Sequence, residues 1–110
     1  MEIKDLEVFD EVPFLFWVKN ENGTYLWGNR AICKLAGENV VGKTDRDLIW
    51  SDNADELQAD DKKVFESGKP SYLHEYVDKS RQGTATLNVC KWIGEFENEK
   101  RCFGISFVIE

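Results

Sequence analysis

Three cysteines, one histidine and a few carboxylates in apolar company are the residues of this 110-residue chain whose types invite chemistry. Cys33 sits in the apolar segment "RAICKLA", and Cys90 and Cys102 sit in two strand-like runs near the C-terminus. An odd cysteine count, with no C-x-x-C spacing and no histidine cluster, points away from a disulfide framework and from a zinc site. Reduced thiols in a cytoplasmic domain are the simpler reading. Cys90 and Cys102 would face each other if their hairpin centres near Phe96, but disulfide geometry is demanding and a one-residue change of register separates them. Two small buried hydrophobes is the reading preferred here. His74 lies in a run that alternates like a strand, so no Ser/His/Asp or Cys/His arrangement can be assembled around it. Asp61 falls in the apolar stripe of a long helix with Ala54, Leu57, Val64 and Phe65, and a carboxylate there needs partners or a raised pKa. Backbone N–H groups of a nearby loop are the expected partners, with a ligand contact as the alternative. Asp45 and Asp47 are expected to cap helices. The run "GENVVGKT" fits the loose spacing of a phosphate loop. Its two valines, the short helix before it and the repulsion from Asp45 and Asp47 argue that the match is coincidental. No catalytic residue and no metal ligand is assigned, and the chain is read as non-enzymatic.

The elements that must position these residues are those of one small domain. Hydrophobic residues make up 42% and aromatics 13% of the sequence, enough for a real core. A net charge of −7 argues against nucleic-acid backbones and anionic membrane surfaces as partners. The acidic N-terminus does not read as a signal peptide, and no run approaches the ~20 apolar residues of a membrane span.

Ile3, Leu6, Phe9 and Val12 recur at three-residue spacing, which predicts an amphipathic helix over residues 1–12 that Pro13 ends. "FLFWVK" and "TYLWG" read as strands joined at Asn22-Gly23, a hairpin signal. Asn29 is placed to cap a short helix, "RAICKLA", which Gly37 closes. Thr44 or Asp45 starts another short helix, and Asp52 or Asn53 a longer one over residues 54–67, closed by Gly68 and Pro70. "SYLHEYVD" then alternates, with Tyr72, His74 and Tyr76 on one face and Leu73, Glu75 and Val77 on the other. "TATLNVCKWI" and "RCFGISFVI" are two more strands, joined by a polar loop "GEFENEK". Helices between two groups of hairpin strands indicate an α+β fold with an antiparallel sheet.

In this order, "VKNENGTYLWGN", the spacing from Asn29 to Gly37, "GKTDRDLIW", Asp61, Val64, "ESGKP" and Glu75 resemble the PAS family of sensory domains over residues 13–109. The resemblance implies a five-stranded antiparallel sheet with short helices packed on one face, a sensor domain over 13–110 behind an N-terminal flanking helix over 1–12. It also implies a ligand or cofactor pocket between helices and sheet, the kind of space where small molecules bind in general. The candidate lining residues are Trp27, Cys33, Leu35, Leu48, Trp50, Leu57, Val64, Phe65 and Tyr76, with Asp61, His74 and Cys90 as lesser candidates. Light-sensing relatives carry a reactive cysteine at the position held here by Asp45, so photoadduct chemistry is not supported. A flavin stacked on Trp27 and Trp50, or a haem on His74, are the remaining cofactor alternatives, and no cofactor is required. The implied role is a signal-transduction sensor that binds a small molecule and passes its state to an output domain such as a kinase, cyclase or transcription regulator. A ligand-free module that dimerises through Ile3, Leu6, Phe9 and Val12 is the second reading.

Overall fold

A computed structural model describes residues 1–81 and 83–109. The chain forms an antiparallel sheet of five strands in the order β2-β1-β5-β4-β3. The strands are β1 (Leu15–Lys19), β2 (Tyr25–Gly28), β3 (Ser71–Val77), β4 (Ala85–Phe96) and β5 (Glu99–Ile109). Between β2 and β3 run α2 (Arg30–Ala36), two 3₁₀ turns (Asp45–Asp47 and Ser51–Asn53) and α3 (Ala54–Ser67). This helical layer covers one face of the sheet, called inner below. The α+β architecture expected from the sequence is therefore present, with the helices packed on that face.

The helix boundaries follow from local chemistry. Asn29 caps α2: its Oδ1 accepts from the Ile32 N–H at 3.3 Å. Gly37 ends the helix at φ +76°, and its N–H donates to the carbonyls of Cys33 and Lys34. Asn29 does more than cap. It is fully buried. Its Oδ1 also accepts from the Phe16 N–H, and its Nδ2 donates to the carbonyls of Phe9 and Phe14. One side chain thus ties the N-terminal segment, β1 and α2 together. Thr44 and Asp47 close a capping box around the first 3₁₀ turn. Asn53 makes no cap bond to α3; its side-chain oxygen instead accepts from the Asp78 N–H, pinning the loop after β3.

Three expectations about the strands need correction. The polar run "GEFENEK" is not a loop. β4 and β5 stay paired out to Phe96 opposite Glu99. The turn is the two residues Glu97 and Asn98, both at positive φ as a type I′ turn requires. Phe96 is buried against Phe103 on the outer face, which holds the strand together past its polar residues. Cys90 pairs with Ile105 while Cys102 pairs with Ile93, so the two thiols are out of register and on opposite faces and cannot form a disulfide. The third correction concerns β2. Its register shifts between Val18 and Lys19, so that Val18 faces Trp27 and Lys19 faces Tyr25, with Leu26 the extra residue. This bulge turns Tyr25 inward and Trp27 outward, although they are two residues apart.

The outer face has its own core: Phe16, Val18, Trp27, Phe96 and Phe103, roofed by Leu6 and Phe9. The N-terminal segment is one helical turn, α1 (Ile3–Leu6), followed by a 3₁₀ turn (Glu7–Phe9), shorter than the helix expected over residues 1–12. Leu6 is wholly buried within the chain, and the Phe9 ring lies 5.0 Å from that of Phe16. Of the four apolar residues expected at a dimer interface, Leu6 is therefore already used by the fold. Val12 and Phe9 are half-buried, and Ile3 is exposed.

Candidate ligand-binding site

The inner faces of the strands set the floor of the site. β1 contributes Leu15, Trp17 and Lys19, β3 Glu75 and Val77, and β4 Leu87, Val89 and Lys91. The helical layer adds Ile32 and Leu35 from α2, Leu48 and Trp50 from the loop, and Leu57 from α3. Between them lies a small cavity lined by Trp17, Tyr25, Trp50, Leu35, Leu57 and Glu75, among others. The space inside it open to a water molecule is about 20 Å³, room for roughly one water. The Trp17 indole packs directly against Gly104 on the neighbouring strand: a Cβ at residue 104 would come within 2.3 Å of it. No residue with a side chain fits there, so glycine leaves the floor open for this ring.

One wall of the cavity is ionic. Lys19 Nζ donates to Asp45 Oδ2 and Asp61 Oδ2, both at 2.7 Å. Lys91 Nζ donates to the other Asp61 oxygen at 2.7 Å and lies 2.6 Å from Glu75 Oε2. That last contact is an ion pair whose angle is poor for a hydrogen bond, and Glu75 Oε2 has no aligned donor among the described residues. Tyr25 Oη and Trp50 Nε1 both donate to Asp45 Oδ1, at 2.7 and 2.9 Å. Lys19 Nζ also sits 4.6 Å from the Tyr25 ring centroid. The chain of ion pairs links five elements, from the Asp45–Asp47 turn through β1, α3 and β4 to β3.

The charges are held in unequal states. Burial alone would lower the Lys19 pKa, but Asp45, Tyr25 and Asp61 together hold it well above the usual lysine value. Burial likewise pushes Asp45 up, yet Lys19 and the donors Trp50 and Tyr25 win and keep it low. Lys91 is raised by Asp61 and Glu75 against its own burial. Glu75 differs: burial dominates, Lys91 offsets only part of it, a contact with Asp60 adds to the rise, and its pKa stands at about 7. Lys19 and Lys91 balance Asp45 and Asp61, so an ionised Glu75 adds a negative charge in a dry site, beside the half-buried Asp60 that favours its protonated form.

Of the lining residues expected from the sequence, Leu35, Trp50 and Leu57 border the cavity. Leu48 is packed in the same core, with Cys33 half-buried at its margin. Asp61 is at the site, but its partners are two lysines and not the backbone of a loop. Asp45 is likewise a buried acceptor for Lys19, Tyr25 and Trp50, whereas the cap bonds of its turn come from Thr44 and Asp47. Val64 is buried on α3 away from the cavity, and Phe65 borders a surface groove with Lys62 and Ile93. Four candidates are on the wrong side of the sheet. Trp27 is turned outward by the β2 bulge. Cys90 alternates with inward Val89 and Lys91 and so faces out. His74 and Tyr76 share the exposed face of β3, while Glu75 and Val77 point in. The lone histidine therefore offers no ligand to a haem in the cavity. A cavity of this size also does not fit a flavin or a porphyrin in the conformation described.

The aromatic and charged residues of the site that sequence reasoning missed are Trp17, Lys19, Tyr25, Glu75 and Lys91, with Asp45 expected only as a cap; the aliphatic liners Leu15, Ile32, Val77 and Leu87 were missed as well. The signal for the charged wall was a lysine at an inward position of an otherwise apolar alternation, in "LFWVK" and in "LNVCK".

A family model for the PAS fold matches residues 9–91. The chain belongs to the PAS-fold family. Among curated proteins, this PAS domain is 37% identical over 71 residues to a diguanylate cyclase of Vibrio cholerae, a match covering 62% of this chain and 22% of that protein. Among solved structures, the phage VqmA–DPO complex superposes with a TM-score of 0.83 at 18% identity, over 96% of this chain and 51% of that one. The PAS domain of the Cronobacter turicensis quorum-sensing receptor RpfR, in complex with BDSF, superposes with a TM-score of 0.71 at 14% identity. That match covers 91% of this chain and 97% of the other. At such identities the structural likeness shows the fold alone. The chain spans about a fifth of the cyclase and about half of VqmA. Among the described residues, no helix is long and apolar enough to cross a membrane.

Proposed function

We propose that this PAS domain is a sensory module that binds a small molecule in the cavity between helices and sheet and relays its state to an attached output domain. The observation that carries the reading is the cavity itself. It is walled by aromatic and aliphatic side chains and bordered by a few fixed polar groups, as ligand sites generally are. It has room for about one water in this state. Any larger ligand must displace the helical layer relative to the sheet, and that displacement is the signal. A ligand that favours the opened packing shifts the population toward it. The ligand-bound VqmA and RpfR structures support a sensing role, and the cyclase relative supports a signalling context; an enzymatic output lies outside this domain. The protein, equilibrated with a metabolite extract, should show a mass above that of the bare chain by native mass spectrometry, with no flavin or haem band in its visible spectrum. A bare mass under those conditions refutes the reading.

A second reading is favoured by the mutual pairing of the buried charges Lys19, Lys91, Asp45 and Asp61. Side chains that satisfy one another leave a filled core and a module that works by association, as a homodimer through the N-terminal segment. Removal of residues 1–12 then converts dimer to monomer; a dimer that persists refutes that interface. The same truncation uncovers the outer core under Leu6, so folding is checked alongside by circular dichroism.

A further inference from the structure

The geometry points to a specific ligand chemistry for this cavity: a compact, uncharged planar ring carrying one acceptor for the Trp17 Nε1–H and one N–H or O–H donor for the Glu75 carboxyl. The inference rests on the reading of the cavity as a ligand site and deepens it.

Trp17 is 4% exposed, borders the cavity, and its indole N–H has no hydrogen-bond partner among the described residues. A buried donor left without an acceptor is a standing cost that a ligand acceptor removes. The ring is fixed, because it rests on Gly104 with no space beneath it. The donor is thus preorganised. The other polar groups of the wall are committed. Tyr25 and Trp50 both serve Asp45, and Lys19 serves Asp45 and Asp61. A carboxylate or phosphate ligand finds no free cation here among the described residues, and an ammonium would have to displace a lysine. Glu75 contacts Lys91 and Asp60, and a carboxyl group offers several acceptor positions; its Oε2 has no aligned donor among the described residues, so it can still accept from a ligand. Three aromatic side chains, Trp17, Tyr25 and Trp50, line the cavity, and an aromatic occupant packs well against such rings. One open donor, one open acceptor and an aromatic lining define the complement stated above.

The test follows the tryptophan indole resonances of nitrogen-15-labelled protein during titration with three probes. These are 2-pyridone (acceptor and donor), N-methyl-2-pyridone (acceptor only) and toluene (neither). The Trp17 signal is assigned as the one missing from Trp17→Phe, and the three remaining indole signals report whether that variant folds. Expected is a saturable shift of the Trp17 signal with 2-pyridone, and about tenfold weaker binding both of N-methyl-2-pyridone and of 2-pyridone to Trp17→Phe. Equal affinity for the two pyridones overturns the donor–acceptor complement while leaving the cavity a ligand site. If none of the probes moves an indole signal, the proposed complement falls, and the metabolite-extract experiment decides separately whether the cavity is a ligand site. Should Trp17→Phe fail to fold, the comparison of the two pyridones on the native protein decides.

Discussion

Replacing Glu75 with glutamine removes one titrating group from the inner wall and keeps its shape, so the stability difference between the two proteins isolates that group. Its folded pKa stands at about 7, raised from the ordinary 4.5 by burial and by a contact with Asp60, with Lys91 pulling the other way. A carboxyl with a raised folded pKa binds its proton more tightly in the folded than in the unfolded chain. Its contribution is fully present below pH 4.5 and is lost as the pH rises to about 7. A tenfold difference in proton affinity is worth about 1.4 kcal/mol, so the full loss is about 3 kcal/mol, of which about 2.5 kcal/mol falls between about pH 5 and pH 8. Urea unfolding of both proteins at half-unit pH steps across that range gives the curve. Contributions common to both proteins cancel in the difference. The wild type should lose about 2.5 kcal/mol relative to Glu75→Gln, with the steepest change between about pH 5 and 7. A difference that stays flat within about 0.5 kcal/mol would refute the claim that burial outweighs Lys91 at this carboxyl.

Asn29→Ala removes four hydrogen bonds that join the N-terminal segment, β1 and α2, and should cost about 2–4 kcal/mol in chemical denaturation. Asp61→Ala leaves each of two buried ammoniums with a single carboxylate. The expected cost is about 3–5 kcal/mol, well above that of removing an exposed acid such as Glu66. Gly104→Ala drives a methyl group into the Trp17 ring, so tryptophan emission should change together with a loss of about 1–3 kcal/mol. Under oxidising conditions the mass should show no Cys90–Cys102 bridge. Cys102, fully buried with its thiol pushed up to about 12, should react with a thiol reagent only on unfolding, after Cys33 and Cys90.

The order of elements was legible because capping and turn chemistry is local. Asn29, Gly37, Gly68 and the turn near Gly23 mark boundaries through backbone geometry that needs no distant partner. Which face of each strand looks inward was less legible. Alternation sorted β3 into Tyr72, His74 and Tyr76 against Leu73, Glu75 and Val77, but aromatic content favoured the wrong set. The sheet is covered on both faces near β1, and only tertiary contacts decide which face the helices take. Trp27 was misplaced for a different reason: one extra residue in β2 reverses its side, and the partner strand sets that bulge. The charge network escaped because no single residue in it is unusual. Among Lys19, Asp45, Asp61, Glu75 and Lys91, bonded partners lie as many as 42 positions apart, and each looks like a surface charge until the fold buries it against the others.

If the inner cavity holds a small molecule and α2 closes over it, a change on α2 that fills the cavity must expel the occupant. Leu35→Phe narrows the cavity with an apolar group and disturbs none of the charged contacts. Wild type and variant, each confirmed folded by circular dichroism, are equilibrated with the same metabolite extract, dialysed and denatured, and the released compounds are measured by mass spectrometry. The expected result is a compound retained by the wild type and absent from Leu35→Phe. No retained compound, or the same compound at the same occupancy in both proteins, would contradict the proposed role of the cavity.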